Sequence, residues 1–260
     1  MNRYQTFVFL LIVTTATVAA QDNYEIQVYG SDTVPKGMVM VETHTNFTFQ
    51  GTKQRVGSMR PTNHALHETL EITSGWTDWF ETGFYAFTAS TPGYGYNFVG
   101  THIRPRVRIP EEWKWPVGLS LSTEFGYQRP AYSLDTWTWE IRPIVDKELG
   151  KLYLCFNPAI GKSFHGASRD EGWAFAPNFK TSYEVLKRVR VGLEYYGEWG
   201  VVGAFVPFPE QGQQFLPAID IDFGPNWEFN FGVGVGVTPA TEHLIAKMII
   251  GRRFSWGKRH

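Results

Sequence analysis

From Val117 to Tyr127 the chain alternates without a break. Val117, Leu119, Leu121, Thr123, Phe125 and Tyr127 fall on one face, and Gly118, Ser120, Ser122, Glu124 and Gly126 on the other. Successive side chains of an extended strand point to opposite faces, so this period of two excludes a helix and predicts a strand with one apolar side. Trp227–Val237 repeats the pattern, with Trp227, Phe229, Phe231, Val233, Val235 and Val237 against Glu228, Asn230, Gly232, Gly234 and Gly236. In Ile103–Ile109 the polar face is three arginines, Arg104, Arg106 and Arg108. Strands of about ten residues, apolar on one face and small or charged on the other, suit the wall of a closed barrel between lipid and water.

Twelve such runs are present: 38–49, 65–73, 79–89, 97–109, 116–127, 136–146, 151–162, 172–184, 189–199, 214–223, 227–237 and 244–254. The connections alternate in length. Ser74–Asp78, Pro110–Trp115, Lys147–Gly150, Val185–Arg188 and Gly224–Asn226 are short, and the others run from Ser90–Tyr96 up to Gln50–His64 and Gly200–Gln213. Short turns at one end and longer loops at the other are the habit of outer-membrane barrels, with both termini at the short-turn, periplasmic end. The fold class expected is therefore all-β, a closed antiparallel transmembrane barrel of about twelve strands. All ten tryptophans fall near the ends of these runs. Indole favours the membrane–water boundary because its ring is apolar while its N–H needs a partner. A secreted jelly-roll lectin or glycanase is the soluble rival, but it would bury some of these rings in mid-strand. Pro105, Pro143, Pro158, Pro177 and Pro217 fall inside the runs, where each removes a ladder donor, and bulges are expected at them.

Charges nearly cancel, 24 Lys and Arg against 25 Asp and Glu. This argues against a nucleic-acid partner, which calls for a basic excess. A single cysteine, Cys155, excludes an internal disulfide framework and multi-cysteine metal sites. Residues 1–20 have the layout of a secretory signal. Arg3 precedes an apolar run that ends in Val18-Ala19-Ala20, with cleavage expected before Gln21. The organisation expected is a signal peptide (1–20), an N-terminal segment that is either a periplasmic tail or a lumen plug (21–37), the barrel (38–254) and a short tail (255–260). Tyr24–Tyr29 alternates but is too short to span, and the bare stripe Gly232, Gly234, Gly236 offers a place where its tyrosines could lie.

The segments YEIQVYGSDTV (24–34), MVMVETHTNFTFQG (38–51), HALHETLEITSG (64–75), HIRPRVRIPEEWKWPVGLSLSTEFGYQ (102–128), WTWEIRPIVD (137–146) and WEFNFGVGVGVTPATEHLIAKMIIGRRF (227–254) carry a resemblance. The chain resembles a family of bacterial outer-membrane barrels described as transporters, akin to the phenol-degradation MetA-like barrels. The resemblance implies fold and compartment, and it brings no catalytic or ligand residues with it. One departure is that Phe254 closes the last run but Ser255–His260 follow, which alters the terminal aromatic signal read by the barrel assembly machinery.

Sites for chemistry are sparse. His67-Glu68-Thr69-Leu70-Glu71 ends in Glu where a zinc-protease helix needs His, and His64 and His67 point to opposite faces of a strand, so no metal or cofactor is expected. Ser163 and His165 share a strand face with Cβ atoms about 7 Å apart, loose for a nucleophile and its base, and give a lipid hydrolase as one alternative. The inward face is the stronger signal. By alternation it carries Glu42, His44, Glu71, Glu81, Arg104, Arg106, Arg108, Glu124, Glu140, Arg142 and Lys247. Charges of both signs inside a barrel must be paired or wet. They form either a network that stiffens the lumen or a constriction that sorts solutes, and Glu81 and Glu124 on flanking strands are natural partners for the arginines. The function expected is a passive channel for small solutes in the outer membrane, in contact with its lipids. A non-conducting structural or surface-interaction barrel is the second alternative.

Overall fold

In the computed structural model residues 23–256 are described, and the expected signal peptide and the last four residues of the tail lie outside them. Twelve long strands form the wall: β1 (Met38–Gln50), β2 (Leu66–Thr77), β3 (Phe80–Thr91), β4 (Gly95–Arg108), β5 (Gly118–Gln128), β6 (Asp135–Leu149), β7 (Leu152–Gly166), β8 (Ala174–Leu186), β9 (Val189–Glu198), β12 (Gly212–Ile221), β13 (Trp227–Gly236) and β14 (Leu244–Ser255). Each pairs antiparallel with the next, and β14 returns to β1, with Met38 opposite Ser255 and His44 opposite Ile249. Closure removes the unpaired edges that an open sheet would leave in lipid. A two-residue hairpin, β10 (Gly200–Val201) and β11 (Ala204–Phe205), extends β8 at the long-loop end.

The alternation fixes which face is which. In β5 Leu121 is 46% exposed and Ser122 is 3% exposed. Leu121→Arg is expected to lose roughly 2–4 kcal/mol in urea titrations of vesicle-inserted protein, the penalty for a cation at the bilayer midplane, while Leu121→Phe changes little. A register slipped by one residue would turn position 121 inward and remove the penalty. Among the tryptophans, Trp76, Trp79, Trp113, Trp115, Trp227 and Trp256 are exposed around the short-turn end, and Trp76 and Trp256 meet edge to face at 5.3 Å.

Two expectations need correction. The Ser90–Tyr96 connection is not a longer loop, because β3 and β4 extend until Pro92–Tyr94 alone joins them. Gly93 (φ 81°) and Gly95 (φ 68°) supply the left-handed backbone that so tight a reversal requires. The strand prolines are not bulges either. Register shifts occur at Thr48/Gln50, Gly75/Thr77, Phe87/Thr88, near Trp137 and at Glu184/Leu186, none of them at a proline. Pro158 faces Pro177 in unbroken register, Pro217 faces Leu193, and Pro105 faces Thr82. The β4–β5 ladder merely skips from Ile103↔Phe125 to Arg106↔Ser122, and β6–β7 from Ile141↔Ile160 to Val145↔Phe156. The N–H groups of a strand point alternately to its two neighbours, so a proline opens the ladder on one side and leaves the other intact.

The core of the molecule lies inside the wall. Ile26, Val28 and Tyr29 pack with Ile144, Cys155, Tyr196, Leu216 and Ile245, while Tyr24 packs with Tyr85, Phe87, Ala89 and Val99. Residues ahead of the first strand therefore supply part of the lumen's apolar filling.

Candidate functional site

Residues 23–36 form an extended strap inside the barrel, and the wall residues they meet give its direction. At its C-terminal end the Val34 N–H donates to Glu81, and the Thr33 hydroxyl to the Asp78 carbonyl in the short β2–β3 turn. Ser31 donates through both N–H and Oγ to Asp146, at 2.9 and 2.7 Å. Arg106 donates to the Gly30 and Asp32 carbonyls. Half-way along, the Tyr29 N–H donates to Asn157 Oδ1 (2.8 Å), and Asn157 Nδ2 donates back to the Tyr29 carbonyl (3.0 Å). Lys247 then holds the Ile26 carbonyl (3.0 Å), Thr69 the Tyr24 carbonyl (2.7 Å) and Asn46 the Asn23 carbonyl (2.8 Å). Asp78, Glu81 and Asp146 stand toward the short-turn end, whereas Thr69 and Asn46 stand toward the long-loop end. The strap thus runs the length of the lumen, for which eleven residue steps at about 3.3 Å are enough, and it begins at the long-loop end rather than at the short-turn end expected for both termini.

An extended segment in a lumen has no sheet partner, so its backbone groups need side-chain partners. The wall supplies them, which explains inward Asn157, Asn46 and Thr69 that carry no charge and gave no signal in the sequence.

The charged wall residues meet as follows. Arg104 bridges Glu71 (2.6 Å) and Glu81 (3.3 Å), and its Nε donates to the Tyr85 hydroxyl. Arg106 reaches Glu81 at 2.7 Å. Arg108 pairs with Asp32 of the strap (3.1 Å) and with Glu111 (2.9 Å). Arg142 pairs with Glu140 at 2.7 Å. Lys247 binds Glu194, which Lys180 also approaches at 3.3 Å while holding Asp220 at 2.7 Å. Tyr29 lies amid the cations, with the Arg104 and Arg142 guanidinium carbons 4.9 and 5.0 Å from its ring centroid. Its hydroxyl donates to Glu25 at 3.0 Å. Glu124 does not join the arginines. It pairs with His102, whose Nδ1 also lies 3.9 Å from Glu25. His44 Nε2 is 3.4 Å from Glu71, and Glu42 stands across the ladder from Glu71.

Ser163 and His165 are engaged separately. The Ser163 hydroxyl donates to Asp135 (2.8 Å), and His165 Nδ1 is hydrogen-bonded to Thr136 (2.7 Å). The glycine stripe of β13 is not covered by the tyrosines. Cβ atoms placed at Gly232 and Gly234 would meet Leu216, Ile245 and Lys247, so the bare stripe makes room for side chains of neighbouring strands. A cavity of about 400 Å³ opens at the short-turn end, bounded by Ser31, Asp32, Arg108, Glu111, Lys147 and Glu148. At the other end Glu242, in the β13–β14 loop, accepts from Thr62, and burial raises its carboxyl above the ordinary range.

No protein-family model matches the chain, and no curated protein matches it in sequence. Solved structures match it in fold. The chain is similar to the NanC porin (TM-score 0.54, 8% identity, covering 81% of this chain and 97% of that one). It is also similar to the KdgM porin (0.51, 11%, 84% and 99%) and to the β domain of the Bordetella autotransporter Brka (0.50, 13%, 85% and 99%). The fold is an outer-membrane β-barrel. Identities this low carry architecture alone, and the finer likeness to MetA-like transporters rests on the sequence segments quoted above.

Proposed function

We propose that the protein is an outer-membrane channel for small polar solutes, closed at rest by its own N-terminal strap. The observation that carries this reading is the seat of Tyr29. It occupies the middle of the lumen among Arg104, Arg106 and Arg142, and its backbone is gripped by Asn157. Arg106 spends two donors on strap carbonyls and Arg108 one pair on strap Asp32, so withdrawal of the strap bares cations that line the passage. Arg104, Arg106, Arg108, Arg142 and Lys247, set against Glu42, His44, Glu71, Glu81, Glu124 and Glu140, then sort solutes by charge.

In this reading the short-turn end faces the periplasm and the wall sits in outer-membrane lipid, placed there by the barrel assembly machinery. Asn23, held by Asn46, then lies toward the outer mouth. An epitope placed immediately before Asn23 is expected to be labelled by antibody on intact cells, and one at Gly150 in the β6–β7 turn only after permeabilisation. The reverse pattern overturns the orientation.

The rival is a non-conducting barrel whose lumen is closed by the wall's own side chains, and the buried network of Arg104 with Glu71 and Glu81 fits it too. Liposome swelling separates the two, with sugars, amino acids and aromatic acids offered to full-length protein and to a variant lacking residues 22–35. A channel admits solute once the strap is gone. A filled structural barrel with folded wall stays impermeable.

A further inference from the structure

Glu42 and His44 stand two apart on the inner face of β1, and Glu71 stands on β2 directly across from Glu42. Ligand atoms of all three lie within 4.8 Å of one another. The side chains are buried, His44 and Glu71 completely. Among the described residues Glu42 Oε1 has no hydrogen-bond partner, and His44 Nε2 and Glu71 Oε2 have only each other, at 3.4 Å. Buried polar atoms are seldom left without a partner, so a buried carboxylate oxygen left over beside a loosely matched histidine–carboxylate pair needs an explanation.

The other Glu71 oxygen is already served, because Oε1 receives Arg104 and the Thr73 hydroxyl. Its Oε2 is left turned toward His44 Nε2 at 3.4 Å. Two ligands bound at about 2.0–2.1 Å to a tetrahedral ion stand about 3.4 Å apart. Gly251 leaves the space beside them, since a Cβ there would come within 2.7 Å of Glu42 Cγ. The local charges leave a carboxylate over. Among the described residues the ion pairs of Glu71 and Glu81 are with Arg104, Arg106 and the His44 ring, Glu42 has none, and the nearby Glu228 has Arg253 at 3.8 Å.

We infer that Glu42, His44 and Glu71 form a site for one divalent cation of the zinc type, fixing β1 to β2 behind the strap. One imidazole and two carboxylates are a hard-to-borderline donor set that suits zinc and cobalt, with water completing the fourth position. His64 and His67, the histidines nearest to a metal motif in the sequence, lie along one stretch of chain, whereas these donors stand on two paired strands. The inference stands whether or not the barrel conducts.

The test uses the full chain refolded in detergent with zinc or cobalt present, freed of loose ion by gel filtration, and assayed for retained metal. One equivalent of zinc is expected, and the cobalt form is expected to show the visible absorption of a tetrahedral ion. His44→Gln and Glu42→Gln, each checked for heat-modifiable migration as a sign of folding, are expected to weaken retention at least ~10-fold. His165→Gln, which alters an exposed imidazole elsewhere, is expected to retain the full equivalent. Absence of retained metal in the wild type overturns the site. So does wild-type retention in either folded variant, or loss in His165→Gln.

Discussion

Deleting residues 22–35 is expected to turn a silent barrel into a conducting one. In planar bilayers the full chain should give rare or no openings, and the deletion variant discrete, long-lived steps, with both proteins still heat-modifiable on gels. The argument is local. The strap owns the Tyr29 ring at the middle of the lumen and the Ile26 and Val28 side chains in its apolar packing. Wall-to-wall ion pairs do not depend on it. Arg104 keeps Glu71 and Glu81, Arg142 keeps Glu140, Lys247 keeps Glu194, and the closed ladder from β1 to β14 is untouched. The wall should therefore survive while its filling leaves. Arg106 and Arg108 lose strap partners, so the opened variant should favour anions, and Arg104, Arg106 and Arg108 changed together to Ser in that background should move selectivity toward cations. A folded deletion variant without conductance identifies the structural barrel. Conductance that ignores the triple change removes the arginines from solute sorting.

How far the sequence reaches is clearest in β5 and in the strap. Every second residue of Val117–Tyr127 being apolar is enough to place Leu121 on lipid and Ser122 inside, because one face of each strand has to meet hydrocarbon. The same rule puts Glu81 on the inner face of the strand next to Arg104 and Arg106, while the pairing itself is set by the Pro92–Tyr94 turn, which is tighter than the sequence suggested. It does not reach partners that depend on three-dimensional threading. Tyr29 and Asn157 are 128 positions apart and joined through a backbone amide, which leaves no periodic trace. Tyr24–Tyr29 is legible as extended but not as located. The prolines misled for a related reason: a missing N–H is visible in sequence, whereas the side to which it points is settled by register. His102 escaped because Ile103–Ile109 draws the eye to three arginines, and a histidine one step before the run is an ordinary residue until Glu124 and Glu25 are placed around it.

The second large effect is expected at Arg104. Its guanidinium is almost fully buried, touches two fully buried carboxylates, receives the face of Tyr29 and donates to Tyr85. Arg104→Met preserves much of the volume and removes the charge. Glu81 still has Arg106 at 2.7 Å and the Val34 N–H, but Glu71 is left with the Thr73 hydroxyl and the His44 ring. Breaking a buried pair from one side costs about 3–5 kcal/mol, because the remaining charge keeps its desolvation and loses its partner. That loss should appear in urea titrations of the vesicle-inserted barrel, followed by tryptophan fluorescence with chelator present. Arg108→Met is the contrast, since Asp32 and Glu111 are both largely exposed and the change should stay within about 1 kcal/mol. The double change Arg104→Met with Glu71→Gln should recover a substantial part of the loss, because a neutral amide beside Thr73 carries a far smaller burial penalty than a carboxylate. Equal losses at Arg104 and Arg108 would mean that the lumen is wet enough to screen both. Without recovery in the double variant, the stabilisation belongs to the Tyr29 and Tyr85 contacts rather than to the Glu71 charge.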